Sequence, residues 1–232
     1  MPSVNKMKLP PISTCRQLCA LVDEIGFLPL FENSLPGFSV RELTDRNAWW
    51  NDGAPELDPW EWRKAITAEG RIAYGKFFRG NAGYISRDWF PVFANFRRDG
   101  YDFDALWEEG KAKRREKLIM DLFPGAEILP SYEIKHHAGF GSDGEKGFES
   151  TLTGLMGQTY LLLRGFERRK SKSGEYYGWP VGLCGTPEAL FSAAHVRCEY
   201  RESPQRSLQK AAAQCAQYIP TASDADILRF LK

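Results

Sequence analysis

The sequence contains no run of about 18 apolar residues, so no membrane-spanning helix is expected. It has no Cys-x-x-Cys pair and only three histidines, two of them the adjacent His136 and His137, so no zinc site is expected. A glycine-rich phosphate loop is also missing: neither Gly-x-x-x-x-Gly-Lys-Ser/Thr nor a strand-linked Gly-x-Gly-x-x-Gly occurs. No metal or other cofactor is therefore anticipated. Charge of one sign is not in excess, because 31 Lys and Arg stand against 30 Asp and Glu for a net of +1. That balance limits any attraction to nucleic acid by bulk charge alone. The cysteines, five in all and widely scattered, exclude a disulfide framework and fit a reducing cytoplasm. The first eleven residues hold Lys6 and Lys8 without an apolar stretch, so no secretory signal is expected.

What is present is aromatic and ordered. The 232 residues are 43% hydrophobic and 13% aromatic with seven Trp, which argues against disorder and allows one large domain or two small ones. Charge is uneven: residues 1–110 carry 13 basic and 16 acidic side chains, and the remainder 18 and 14. The positive excess lies in the second part.

A first helix is capped by Ser13 or Thr14, buries Leu18, Leu21, Val22 and Ile25, and stops at Gly26. The segment Phe27–Phe31 reads as a short strand or a buried connector, and Phe38–Leu43 is similarly short. Asp58-Pro59 starts a helix, with Asp58 capping, Pro59 first and Glu61 in a capping-box position. It ends near Gly70. Arg71–Phe78 then reads as a strand or extended core segment, Gly80–Gly83 as a turn, and Ser86 to Gly100 as a helix presenting Trp89, Phe90, Phe93 and Phe96. Asp104 opens another helix. After Thr186-Pro187, helices are expected over 189–200, 207–218 and from Ser223 to Lys232.

Residues 111–183 read as one winged helix-turn-helix. The expected helices are Arg114–Phe123, Ser131–Ala138 and Lys146–Gln158. A strand Tyr160–Leu163, a basic tip over 168–174 and a return strand Glu175–Leu183 follow. The third helix would bury Phe148, Leu152, Leu155 and Met156 and show Glu149, Ser150, Thr153, Gly154 and Gly157 on its other face, with Lys146 at its start. Such a helix either lies in a groove or packs on another part of the protein. The hairpin offers Arg164, Arg168, Arg169, Lys170 and Lys172 with Tyr176, Tyr177 and Trp179, a pattern suited to phosphates and sugars. The nucleic-acid contacts expected are thus Lys146, Ser150, Thr153, Arg164, Arg168, Arg169, Lys170, Lys172 and Tyr176. Lys113, Arg114, Arg115 and Lys117 add cations where the helix dipole disfavours them.

Six Trp fall between residues 49 and 107, with Asp52, Glu56, Asp58 and Glu61 among four of them. Trp49, Trp50, Asp52, Glu56 and Trp60 form a candidate pocket of the kind that holds an extruded base beside a carboxylate. The same residues read more readily as aromatic fasteners between helices, with Asp58 and Glu61 capping.

Trp49-Trp50, Asp58-Pro59-Trp60-Glu61-Trp62, Ala73-Tyr74-Gly75-Lys76, Tyr84-Ile85-Ser86, Tyr101 and Trp107-Glu108-Glu109-Gly110, followed by the winged-helix pattern, resemble the bacterial AlkZ-related family over roughly residues 15–190. That resemblance implies a distant kinship with the AlkZ/YcaQ winged-helix DNA glycosylases, which excise alkylated or crosslinked bases. Those enzymes position water with a Gln-x-Gln or Gln-x-Asp element. None of Gln17, Gln158, Gln205, Gln209, Gln214 and Gln217 begins one, so no catalytic residue is carried over. They also use winged helices in tandem, and one is traceable here.

The expectation is a mostly helical α+β protein: an aromatic-rich helical part (1–110), a winged helix-turn-helix (111–185) and C-terminal helices (186–232). The expected partner is double-stranded DNA, bound without catalysis. Two alternatives stay open at this point, a divergent glycosylase using Asp52 or Glu56 and a protein-interaction scaffold.

Overall fold

The structure, a computed structural model, describes residues 9–51, 53–171 and 173–232. Asp52 and Lys172, both named above, lie outside the described residues. Helix α1 (Cys15–Ile25) begins where the Thr14 hydroxyl accepts the Gln17 N–H at 3.2 Å, and it buries Leu18, Leu21, Val22 and Ile25. Gly26 ends it at φ 93°. A Cβ there would sit 2.4 Å from the Trp89 ring, so both backbone and space demand glycine. The short apolar segment that follows is strand β1 (Phe27–Pro29), and Val40–Leu43 forms the short helix α2.

Helix α3 (Pro59–Glu69) opens as its sequence dictates. Asp58 accepts the Trp60 N–H at 2.8 Å, and Gly70 closes it in the left-handed region. The capping-box role expected of Glu61 is not filled, because its carboxylate pairs with Lys64 instead. Strand β2 (Ile72–Phe78) then turns at Arg79-Gly80 into β3 (Asn81–Ser86). The expected turn over 80–83 is thus shorter, and Gly83 lies inside a strand. A Cβ at Gly83 would meet the Pro29 backbone at 2.8 Å, so this glycine permits β1 to lie close. Helices α4 (Phe90–Arg98) and α5 (Phe103–Glu108) follow, the latter capped by Asp102 rather than by the expected Asp104.

The middle of the chain runs α6 (Arg114–Met120), β4 (Leu129–Pro130), α7 (Ser131–His137), α8 (Phe148–Gly157), β5 (Leu162–Lys170) and β6 (Tyr176–Gly185). Strand β4 was not foreseen. The last segment holds α9 (Pro187–Phe191), α10 (Ala193–Val196), α11 (Pro204–Tyr218) and α12 (Asp224–Leu231). The single helix expected over 189–200 is broken at Ser192 (φ 74°), whose hydroxyl starts α10 by accepting the His195 N–H.

The strands form one antiparallel six-stranded sheet in the order β1-β3-β2-β5-β6-β4. Its two halves meet at the Tyr74–Leu163 pair of β2 and β5. One core lies around Phe27, Phe78 and Phe93 and is completed by C-terminal side chains, with Phe230 stacked on Phe78 at 5.1 Å and 9°. A second core gathers Ile119, Ile134, Leu155 and Tyr160 from the middle segment. Between them, Arg98 is fully buried. It donates to Glu188 Oε1 at 2.6 Å and to the Thr159 carbonyl at 2.6 Å, and it lies over the Tyr160 ring. Burial opposes its charge, and Glu188 overrides that opposition, so its pKa ends above the ordinary value. Arg97 has no acidic partner among the described residues and is drawn down to about 9 by burial. It donates to the carbonyls of Phe77, Gly157 and Leu231, tying β2 to the C-terminal ends of α8 and α12.

Candidate nucleic-acid interface and adjoining cavity

The β5–β6 hairpin is longer than its sequence suggests. Arg169 pairs with Tyr177 and Lys170 with Tyr176, so the cations expected at a tip stand on a strand. The turn itself is built by hydroxyls: the Ser171 and Ser173 Oγ atoms lie 2.7 Å apart, and Ser171 Oγ accepts the Glu175 N–H. The ladder slips between Glu167 and Arg169, an irregularity that increases local twist. On β6, Tyr176, Tyr177 and Trp179 are 59%, 50% and 88% exposed. Arg168, Arg169 and Lys170 are exposed and have no carboxylate at ion-pair distance among the described residues. Arg168 Nε donates to the Gly178 carbonyl, Arg169 lies 4.8 Å from the Tyr132 ring centre and Lys170 4.9 Å from that of Tyr176. Arg164, at the hairpin base, is half-buried with an unpartnered Nε, and burial lowers its pKa.

Three of the four cations of the other basic cluster are neutralised internally, and Lys113 stays exposed. Arg114 and Arg115 both pair with Glu145, and Lys117 pairs with Asp121. Structural pairing accounts for cations that had suggested a partner.

Helix α8 presents its small-residue face to a cleft. Lys146 precedes it, separated by Gly147, and donates to the Gly141 and Ser142 carbonyls. Ser150 is exposed and donates to the Gly147 carbonyl at 2.8 Å. Thr153 accepts from Lys76 of β2 at 3.4 Å. Together with Gly154 and Gly157, these small residues face Arg79, Gly80 and Phe96 across a cleft. The face therefore looks toward the β2–β3 turn and α4, which is the packing alternative.

The candidate pocket forms in part. Phe31, Trp49, Trp50 and Trp60 cluster with ring centres 5.6–6.4 Å apart, and Arg41 lies over Trp49 and Trp50. Trp49 is buried and donates to the Thr44 hydroxyl at 2.8 Å, whereas Trp50 is exposed and held at φ 57°. The acidic member Glu56 is exposed on a 3-10 turn (Pro55–Leu57), and its carbonyl, not its carboxylate, is used, accepting from Trp62 Nε1. It is absent from the walls of the adjoining cavity.

That cavity, of ≈ 410 Å³, lies between α3, the β2–β3 hairpin, α8 and β5–β6. Phe31, Trp60, Tyr74 and Phe166 give it aromatic walls. Arg63, one turn after Trp60, is only 7% exposed. Its guanidinium lies 3.3 Å from the Trp60 ring centre and 4.7 Å from that of Phe166, and its Nε donates to the Trp60 carbonyl. Burial raises the Tyr74 pKa, with Arg63 pulling the other way. The carboxylate on the cavity is Glu149, exposed at the start of α8. Burial pushes the neighbouring Cys184 thiol up to about 12, and Glu149 adds to that. A second hollow of ≈ 750 Å³ shares Trp60, Arg63 and Phe166 and continues outward past Lys64 to Arg168 and Trp179. Sequence reading missed Arg63, and it placed Glu149 on the outer face of the third helix without assigning it to a cavity. Their signals were the i,i+3 spacing from Trp60 and the polar first turn of α8.

Mixed helices and one antiparallel sheet, with a basic-aromatic hairpin beside an aromatic cavity, define the class of protein. A family model described as AlkZ related matches residues 12–232, and the chain belongs to that family. The match extends past the roughly 15–190 over which the motifs resemble it and includes the C-terminal helices. No curated protein and no solved structure matches the chain.

Proposed function

We propose that the protein binds double-stranded DNA through the β5–β6 hairpin, with residues 111–185 working as a winged helix. The order α6-β4-α7-α8-β5-β6, in which the short β4 pairs with β6, supports that reading. The observation that carries it is the pairing of three exposed cations without carboxylate partners with three exposed aromatics on adjacent strands. Cations of this kind neutralise phosphates, and flat side chains pack on sugars or bases. The hollow leading from Trp179 and Arg168 to Trp60 continues the aromatic surface to α3, where Lys64 is already paired with Glu61. The hairpin, rather than the inward-looking face of α8, makes the contacts. Membership of the AlkZ-related family is in keeping with DNA as the partner.

Base excision has less support. Of its two proposed carboxylates, Glu56 does not line the cavity and Asp52 lies outside the described residues, and no Gln-x-Gln or Gln-x-Asp element is present.

Fluorescence anisotropy with matched undamaged and abasic duplexes tests the proposal. Binding to both with equal strength fits a general DNA binder, and preference for the abasic duplex points to repair. Absence of binding to either at low salt refutes it and makes the hairpin a protein-contact element.

A further inference from the structure

The ≈ 410 Å³ cavity holds more charge than its own fold uses. Arg63 is a buried guanidinium with no carboxylate at ion-pair distance among the described residues; its contacts are the Trp60 carbonyl and two ring faces. Lys76 reaches only the Thr153 hydroxyl, at 3.4 Å. A buried cation is stable when an anion or a dense set of acceptors answers it, and here the acceptors are few. The walls are aromatic, from Phe31, Trp60, Tyr74 and Phe166. One carboxylate, Glu149, stands at the rim and accepts hydrogen bonds only. The volume falls within the range of small-molecule sites, which are largely apolar with a few convergent polar groups.

We propose that this cavity binds a small planar aromatic anion that also carries an N–H donor, the chemistry of a nucleoside monophosphate. The ring packs among the aromatic walls, the anionic group meets Arg63 and Lys76, and the donor meets Glu149. The site uses Leu163, Phe166, Gly182 and Cys184 at the base of the hairpin but none of its exposed cations, and it does not depend on duplex binding. It does adjoin β5, because Phe166 lines the cavity two residues before Arg168, so a ligand there would touch the strand that carries the exposed cations.

Isothermal titration calorimetry with AMP, GMP, CMP and dTMP, and with adenosine and inorganic phosphate as controls, tests this. Saturable binding of at least one monophosphate is expected, at least tenfold tighter than either control. Lys76→Ala should weaken it about tenfold, the equivalent of one unit charge contact. Thr153→Trp should abolish it by filling the cavity, with the fold checked by circular dichroism. Reversing the hairpin cations should leave it unchanged, which separates this site from the DNA interface. The proposal is overturned if no monophosphate binds at about 1 mM. It is equally overturned if adenosine binds as tightly as AMP, or if Thr153→Trp binds like the parent.

Discussion

At the scale of single residues, the buried Arg98–Glu188 pair is the most consequential contact between segments. Glu188→Gln leaves a guanidinium buried without its counter-ion, and a loss of about 3 kcal/mol in urea unfolding is expected. A change within about 0.5 kcal/mol would show that the Thr159 carbonyl and the Tyr200 hydroxyl, which also accept from Arg98, suffice alone. The thiols divide by environment. Cys15 is pulled below its ordinary pKa by the hydrogen bond from Cys19, while Cys184 and Cys215 are pushed up to about 12 by burial. Iodoacetamide should therefore modify Cys15 in the native protein and reach Cys184 and Cys215 only on unfolding, as read by peptide mass mapping. Native labelling of Cys184 at the rate of Cys15 would contradict the buried placement. Helix caps were legible at this scale, because Thr14, Asp58 and Ser223 act on neighbours three or fewer residues away. Arg63 was not, because its role depends on Phe166 and Tyr74, which are distant in the chain.

At the scale of elements, periodicity revealed the helices and missed short or glycine-bearing strands. β3 was hidden because Gly83 reads as a turn residue, while its lack of a side chain serves the close approach of β1. The break at Ser192 was hidden because a serine inside a helical pattern carries no strong stop signal, and its capping bond appears only in three dimensions. The hairpin strands were read too short because charged residues obscure alternation. Gly26 joins α1 to the sheet. Gly26→Ala forces a Cβ into the Trp89 ring at a strained φ and should cost more than about 1 kcal/mol in chemical denaturation. Unchanged stability would mean that Trp89 can swing aside freely.

At the scale of the whole molecule, the sequence did not reveal that two hairpins share one sheet, because the Tyr74–Leu163 pairing links residues 89 positions apart. Nor did it reveal that the last helix completes the first core. Phe230 stacks on Phe78 and meets Phe27 and Phe38, so Phe230→Ala should cost about 3–5 kcal/mol by thermal or urea unfolding. A smaller loss would place the C-terminal helices at the margin of the fold. Of the candidate site, the hairpin cations and the Trp cluster were legible as residue types. Which cations remain unpaired, and which carboxylate reaches the cavity, required the fold.

The hairpin's role as a DNA contact is tested most directly by the salt dependence of duplex binding, compared between the parent and Arg168→Glu/Arg169→Glu/Lys170→Glu. Parent affinity should fall steeply with salt. The variant should bind more weakly at low salt, with a log–log slope shallower by about 2 to 3 units, the loss of three phosphate contacts. Equal slopes for the two proteins would contradict the account.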